Sequence, residues 1–162
     1  MHIYFLRHGD ASSDTRYSDS ERPLTHLGER QAALVGTFLQ QKNIVIHATL
    51  SSPLKRAQET ASIVLSNIRT PTIVLSDLLL NGADPFELFE QMNSLNVSSV
   101  LLVGHEPNLS ELISLLIGGK RNVEIEMKKC SLALVDISDP MDQGTGVLKF
   151  LLPFERWNDS FK

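Results

Sequence analysis

Short apolar runs alternate along this chain with longer stretches of helical periodicity. The runs fall at residues 2–6, 44–50, 72–75, 99–103, 131–137 and 147–152. Branched and aromatic side chains dominate them, which predicts strands. Between them, residues 26–41, 53–67, 85–95 and 107–117 carry the helical pattern. The clearest stripe is Leu109, Leu112, Ile113, Leu116 and Ile117, stopped by Gly118-Gly119. Such alternation predicts an α/β fold of three layers, with helices on both faces of a mostly parallel central sheet. No helical pattern separates residues 131–137 from 147–152, and Asp139-Pro140 through Gly144-Thr145-Gly146 is rich in turn formers. These last two strands are therefore expected to form an antiparallel hairpin at one edge. Residues 1–162 read as one domain, without repeats, linkers or low-complexity tracts.

Three of the predicted strands end in groups that can carry chemistry. Arg7-His8-Gly9 closes the first run. Alone, that tripeptide reads as a strand end and a turn. The run at 44–50 is followed by Ser51-Ser52-Pro53-Leu54-Lys55-Arg56-Ala57-Gln58-Glu59-Thr60-Ala61. Here Ser52 is expected to cap a helix and Pro53 to occupy its first position, with Arg56 about one turn inside. The run at 99–103 leads into Gly104-His105-Glu106-Pro107-Asn108, where Pro107 is expected to start a helix and His105 to sit in the turn. Ligands of open α/β sheets bind beyond the carboxyl ends of the strands. If the three strands are parallel neighbours, Arg7, His8, Arg56 and His105 converge in one pocket.

Such a group suits a phosphoryl ligand. Phosphoryl oxygens need several fixed cationic donors, and the guanidinium fork meets them two at a time. A neutral His8 can attack phosphorus through one ring nitrogen if the other holds its proton on a backbone carbonyl. Two nearby Arg charges disfavour protonation of His8 and keep it nucleophilic. His105, charged or neutral, can stabilise the group in transfer. No metal is needed for this chemistry.

These blocks resemble the histidine phosphatase superfamily, which also contains the cofactor-dependent phosphoglycerate mutases. Within it the chain is most similar to the small SixA-type phosphohistidine phosphatases. The matching stretches are Leu6 to Ala11, Arg22-Pro23-Leu24-Thr25 with Gly28, Ser51 to Ala61, and Val103 to Pro107, in family order within residues 1–118. The resemblance implies a phosphoglycerate mutase-like fold and transient phosphorylation of His8, with Arg7, Arg56 and His105 completing the phosphate pocket. It also implies that the block containing Arg22 lies near the site, which makes Arg22 a candidate for contact with phosphate or a substrate protein, a plain surface role being the alternative. Many members of the superfamily protonate an alkoxide leaving group with a carboxylic acid after the third strand. Asp77 holds a comparable place in Leu75-Ser76-Asp77-Leu78, although the surrounding pattern departs from the mutase one. Asp77 can equally cap the turn, and Asp10 and Glu106 are further candidates. A labile phosphoramidate bond makes a dedicated acid less necessary.

Composition narrows the alternatives. The chain is 42% hydrophobic and 21% charged, with a net charge of −4, so neither disorder nor a nucleic-acid-binding face is expected. No apolar run is long enough to cross a membrane, and no signal segment is evident, so a soluble cytoplasmic protein is expected. The single cysteine, Cys130, reads as a small buried hydrophobe. His2, His26 and His47 lack ligand spacing with His8 or His105, so no metal is expected. There is no dinucleotide fingerprint or Walker-type loop, hence no ATP or NAD cofactor. The charges of the polar loop between Asp10 and Arg22 read as solvated, Arg22 excepted. The expected activity is metal-independent phosphohistidine hydrolysis. Its partner would be a phosphorylated protein, such as a histidine-containing phosphotransfer domain, or a small phosphorylated molecule. A small-molecule phosphoester phosphatase and a non-catalytic phosphate- or phosphoprotein-binding module are the alternatives.

Overall fold

The computed structural model describes residues 1–66, 68, 72–138 and 140–156. Six strands form one sheet: β1 (His2–Arg7), β2 (Ala48–Ser51), β3 (Ile73–Leu75), β4 (Ser99–Gly104), β5 (Leu132–Ile137) and β6 (Gly146–Leu152). Their order is β3-β2-β4-β1-β5-β6. The first four in that order run parallel, whereas β5 is antiparallel to β1 and β6 antiparallel to β5. The predicted edge hairpin is thus present. Residue 67 of the predicted second helix and Asp139 of the predicted turn lie outside the described residues.

Four helices accompany the sheet: α1 (His26–Gln41), α2 (Lys55–Ser66), α3 (Pro85–Ser94) and α4 (Asn108–Gly118). Alternate side chains of the central strands serve opposite faces, as a pleated strand buried on both sides requires. Ile3, Phe5, Val100 and Leu102 pack with Leu88 and Met92 of α3 and with Leu112, Ile113 and Leu116 of α4. Tyr4, Leu6, Leu101 and Val103 pack with Val35 and Leu39 of α1 and with Ala57, Ala61 and Val64 of α2. Val100 to Val103 have no exposed surface, and each such aliphatic side chain contributes roughly 1.5–3 kcal/mol by leaving water. The core therefore grips β4 and β1 hardest, and their ends are the firmest places for a site. No helix among the described residues is long and apolar enough to cross a membrane.

Local signals explain the helix limits. Thr25 caps α1 by accepting the Gly28 N–H at 3.2 Å, and Gly119 ends α4 at φ 68°. Three expected boundaries move. The run at 44–50 becomes a strand only from Ala48, since Ile44 closes the end of α1 through Leu39 O and Ile46 is a buried connector. An apolar run cannot by itself distinguish a strand from a packed link. Helix α2 starts at Lys55, so Pro53 precedes it and Ser52 is not its N-cap. Helix α4 starts at Asn108, with Pro107 just outside at the cap position.

Candidate active site

Strands β2, β4 and β1 lie side by side and parallel, and their carboxyl ends stop together. Arg7 is in register with Gly104, and Ser51 with Val103. The ladder runs one residue further on both sides: His8 N–H donates to Gly104 O at 3.1 Å, and Ser52 N–H to Val103 O at 2.9 Å. The arrangement on which convergence depended is therefore the one adopted.

His8 is 7% exposed and its Nδ1 lies 2.7 Å from Gly9 O. A carbonyl only accepts, so Nδ1 carries the ring proton and Nε2 keeps its lone pair. Burial, reinforced by the charges of His105, Arg56 and Arg7, pushes His8 down to about 3 despite the Gly9 bond. The ring is thus neutral and basic at one known atom. The His105 ring lies 4.9 Å from it, centroid to centroid. Burial, with Arg56 and Arg7 helping and Asp19 opposing, lowers His105 to about 4.

The backbone after His8 is held on several sides. Gly9 N–H donates to Thr60 Oγ1 at 3.1 Å, and Asp10 N–H to Gln31 Oε1 at 2.8 Å. Thr25 returns both its N–H and its hydroxyl to Asp10. Lys129 pairs with the other Asp10 oxygen. Gly28 is required here because a Cβ on it would meet Asp10 O at 2.1 Å. The block Arg22-Pro23-Leu24-Thr25 thus clasps the segment that presents His8, with Ala11 bridged to Leu24.

Arg56 is 7% exposed, on the first turn of α2. Its Nη1 donates to Asp19 O at 2.6 Å and its Nη2 to Asp19 Oδ2 at 3.2 Å. Arg22 donates from Nε to Ser12 O at 2.6 Å and from Nη1 to Asp19 Oδ1 at 3.1 Å. Asp19 therefore ties Arg22 to Arg56, which corrects its reading as a merely solvated loop charge. Arg7 donates from Nη1 to Met127 O at 2.8 Å, while its Nε is buried without a hydrogen-bond partner. His105 Nδ1 is likewise buried and unpartnered, and its Nε2 lies 2.7 Å from Ser52 Oγ. Donors satisfied on one side and open on the other suit an anionic oxygen.

The acid candidates separate by environment. Asp77 is exposed at the start of the single turn that follows β3. Asp10 is held below the usual carboxylate range by its bond to Lys129. Glu106 is half-buried, accepts the Ser110 N–H at 3.3 Å, and is raised by burial. Among the described residues no group of three His, Cys, Asp or Glu is placed to hold a metal ion. Cys130 is fully buried and burial pushes its thiol up to about 12, as fits its reading as a small hydrophobe. His2 pairs with Asp136, His47 with Ser99, and His26 is a surface residue beside Glu29.

Sequence reasoning missed the contacts of Thr60, Lys129 and Asp19, and of Ser52 it foresaw the acceptance of a backbone N–H at the helix start, from Leu54 at 3.3 Å, but not the bond to His105. Ser52 stood inside a noticed block, but its bond to His105 spans 53 residues and leaves no local signal. Lys129 lies 119 residues from Asp10, in a segment that carries no motif.

Comparison with known proteins agrees with this fold. The model for the histidine phosphatase superfamily (branch 1) matches residues 3–79. The phosphohistidine phosphatase SixA of Escherichia coli (strain K12) is 32% identical over 124 residues, spanning 74% of this chain and 76% of that one. The SixA homolog of Haemophilus influenzae is 34% identical over 134 residues, spanning 75% and 80%. The solved structure of the protein histidine phosphatase SixA with tungstate superposes with a TM-score of 0.87 at 26% identity, over 96% of this chain and 99% of that one.

Proposed function

The chain belongs to the histidine phosphatase superfamily, and from that premise we propose that it hydrolyses phosphohistidine through a covalent intermediate on His8. The observation that carries this reading is the state of His8: neutral, with its proton on Nδ1 and donated to Gly9 O, among Arg7, Arg56 and His105. In the first step the Nε2 lone pair attacks phosphorus and the bond to the leaving nitrogen breaks. Arg7, Arg56 and His105 receive the phosphoryl oxygens, whose charge the two guanidinium groups balance without a metal. Water then attacks the phosphorylated His8, releasing phosphate and restoring the ring. The activity of the SixA relatives favours phosphohistidine as the substrate class, and a phosphorylated protein as its carrier.

One observation favours a second reading. Glu106 is a carboxyl beside His105 whose burial raises its pKa, as suits an acid for an alkoxide leaving group. That would make the chain a phosphoester phosphatase.

The test is turnover of a phosphorylated histidine-containing phosphotransfer domain and of p-nitrophenyl phosphate, with EDTA present. Rapid quench should trap acid-labile, alkali-stable phosphate on His8, and a folded His8→Ala protein should lose several orders of magnitude in rate. Phosphate binding without turnover would return the protein to a recognition module. Turnover of the ester alone would favour the second reading.

A further inference from the structure

Among the described residues Asp19 is the carboxylate paired with Arg56 and Arg22, and it meets them from the mouth of the pocket. His8 lies at the buried floor, while the Asp19 side chain is 65% exposed. Asp19 pairs with Arg56, whose side chain is 9% exposed and whose charge acts on His8. Each Asp19 oxygen accepts one guanidinium N–H, Oδ1 from Arg22 and Oδ2 from Arg56, so each keeps a further lone pair. Phosphoryl transfer places nucleophile and leaving atom on opposite sides of phosphorus. With His8 beneath, the leaving group departs toward the mouth, on the side where Asp19 stands.

An imidazole leaving group makes a particular demand. If the ring of phosphohistidine carries no proton on its second nitrogen, it must depart as imidazolate, a poor leaving group. With a proton there, His8 Nε2 gives its lone pair to phosphorus and the P–N bond breaks. That electron pair returns to the ring, which departs as neutral imidazole. The proton that matters sits on the far nitrogen, not on the leaving atom. What assists it is a fixed anion that accepts the far N–H, and not a protonated acid.

Resting on the phosphohistidine reading, we infer that Asp19 is a substrate-binding residue that accepts the far N–H of the substrate's phosphoimidazolium ring and so selects phosphohistidine over phosphoesters. Its ionisation supports this. Although burial acts the other way, Arg56 and Arg22 hold the Asp19 carboxyl below the usual range, so it is an acceptor and not an acid at neutral pH. The same fixed negative charge disfavours an alkoxide, on which negative charge develops at the mouth. Arg22 thereby acquires a role at one remove, as the group that steadies Asp19 while its Nε holds the loop through Ser12 O.

The experiment compares kcat/KM for a phosphorylated histidine-containing phosphotransfer domain, for free phosphohistidine and for p-nitrophenyl phosphate in the wild type, Asp19→Asn and Asp19→Ala. The ratio of either phosphohistidine substrate to the aryl ester should fall about tenfold or more in both variants, the scale of a lost charge-assisted hydrogen bond. Asp14→Asn, which removes a loop carboxylate paired with Arg16, should leave the ratio unchanged. Tungstate binding by calorimetry checks that the variants keep a folded pocket. Parallel loss on all substrates would overturn the inference, since Asp19 would then only position Arg56. An unchanged ratio would overturn it as well. Wild-type protein that binds tungstate but hydrolyses no phosphohistidine would sink the underlying reading instead. A loss on the domain but not on free phosphohistidine would show that Asp19 contacts the carrier protein and not the ring, again against the inference.

Discussion

Ser52 Oγ lies 2.7 Å from Nε2 of His105, joining the turn after β2 to the turn after β4. Ser52 is fully buried, and its oxygen also accepts the Leu54 N–H at 3.3 Å. The hydroxyl proton needs an acceptor, and of these two partners only the His105 ring can provide one. That assigns the proton of neutral His105 to Nδ1, the buried atom left without a partner. Ser52→Ala is expected to free Nε2 and mix the two tautomers. Nitrogen-15 spectra of His105 should show the change, with kcat falling roughly twofold if the two tautomers become about equally populated. An unchanged His105 spectrum in the variant would refute the assignment.

Acid should destabilise the fold before it approaches the ordinary carboxylate range. His8 and His105 are lowered from 6.5 to about 3 and about 4. Between the unfolded and folded values the unfolded chain binds protons that the folded one does not. Stability therefore falls as pH drops from about 6.5 toward 4, at most about 1.4 kcal/mol per pH unit for each ring. Asp10 and Asp19, both lowered, extend the loss below the usual carboxylate pKa. Urea unfolding at pH 7, 6 and 5 measures the slope, and His8→Gln should flatten it. Equal slopes in wild type and variant would mean that His8 titrates normally.

Gly28→Ala tests the clasp behind His8. Alanine improves the helix intrinsically by about 1 kcal/mol, yet its Cβ would meet Asp10 O at 2.1 Å. Backbone lies on both sides of that contact, so the strain should win by about 1–3 kcal/mol. Thermal unfolding should drop by several degrees and activity should fall with it, because Asp10 is two residues from His8. A variant as stable as wild type would show that the helix start can move away at little cost.

Arg22→Ala removes both the Ser12 and the Asp19 bonds. It should lower kcat/KM for the phosphohistidine-bearing domain by about tenfold, and less for p-nitrophenyl phosphate. Arg22→Lys, which keeps the charge without the fork, should recover only part of the loss. Equal losses on the two substrates would place Arg22 against the phosphoryl group itself.

Periodicity and punctuation alone determined the layer architecture, the edge hairpin and the strand ends near which Arg7, His8 and His105 lie, with Arg56 on the helix that follows β2. These are local properties: a pleat repeats every second residue, a helix every three to four, and a strand end is marked where the apolar run stops. Where local signals competed, the sequence misled. Pro53 and Pro107 looked like first helical residues, and both lie outside their helices. Tertiary structure decided what each site residue bonds to. Asp19 reaches Arg56 across 37 residues, Thr60 reaches Gly9 across 51, and Lys129 reaches Asp10 across 119. Such pairs follow from the strand order β2-β4-β1-β5, which brings distant turns to one end of the sheet. Hydrogen bonds depend on angstrom-scale placement of both partners, and a one-dimensional pattern fixes only the faces on which side chains lie.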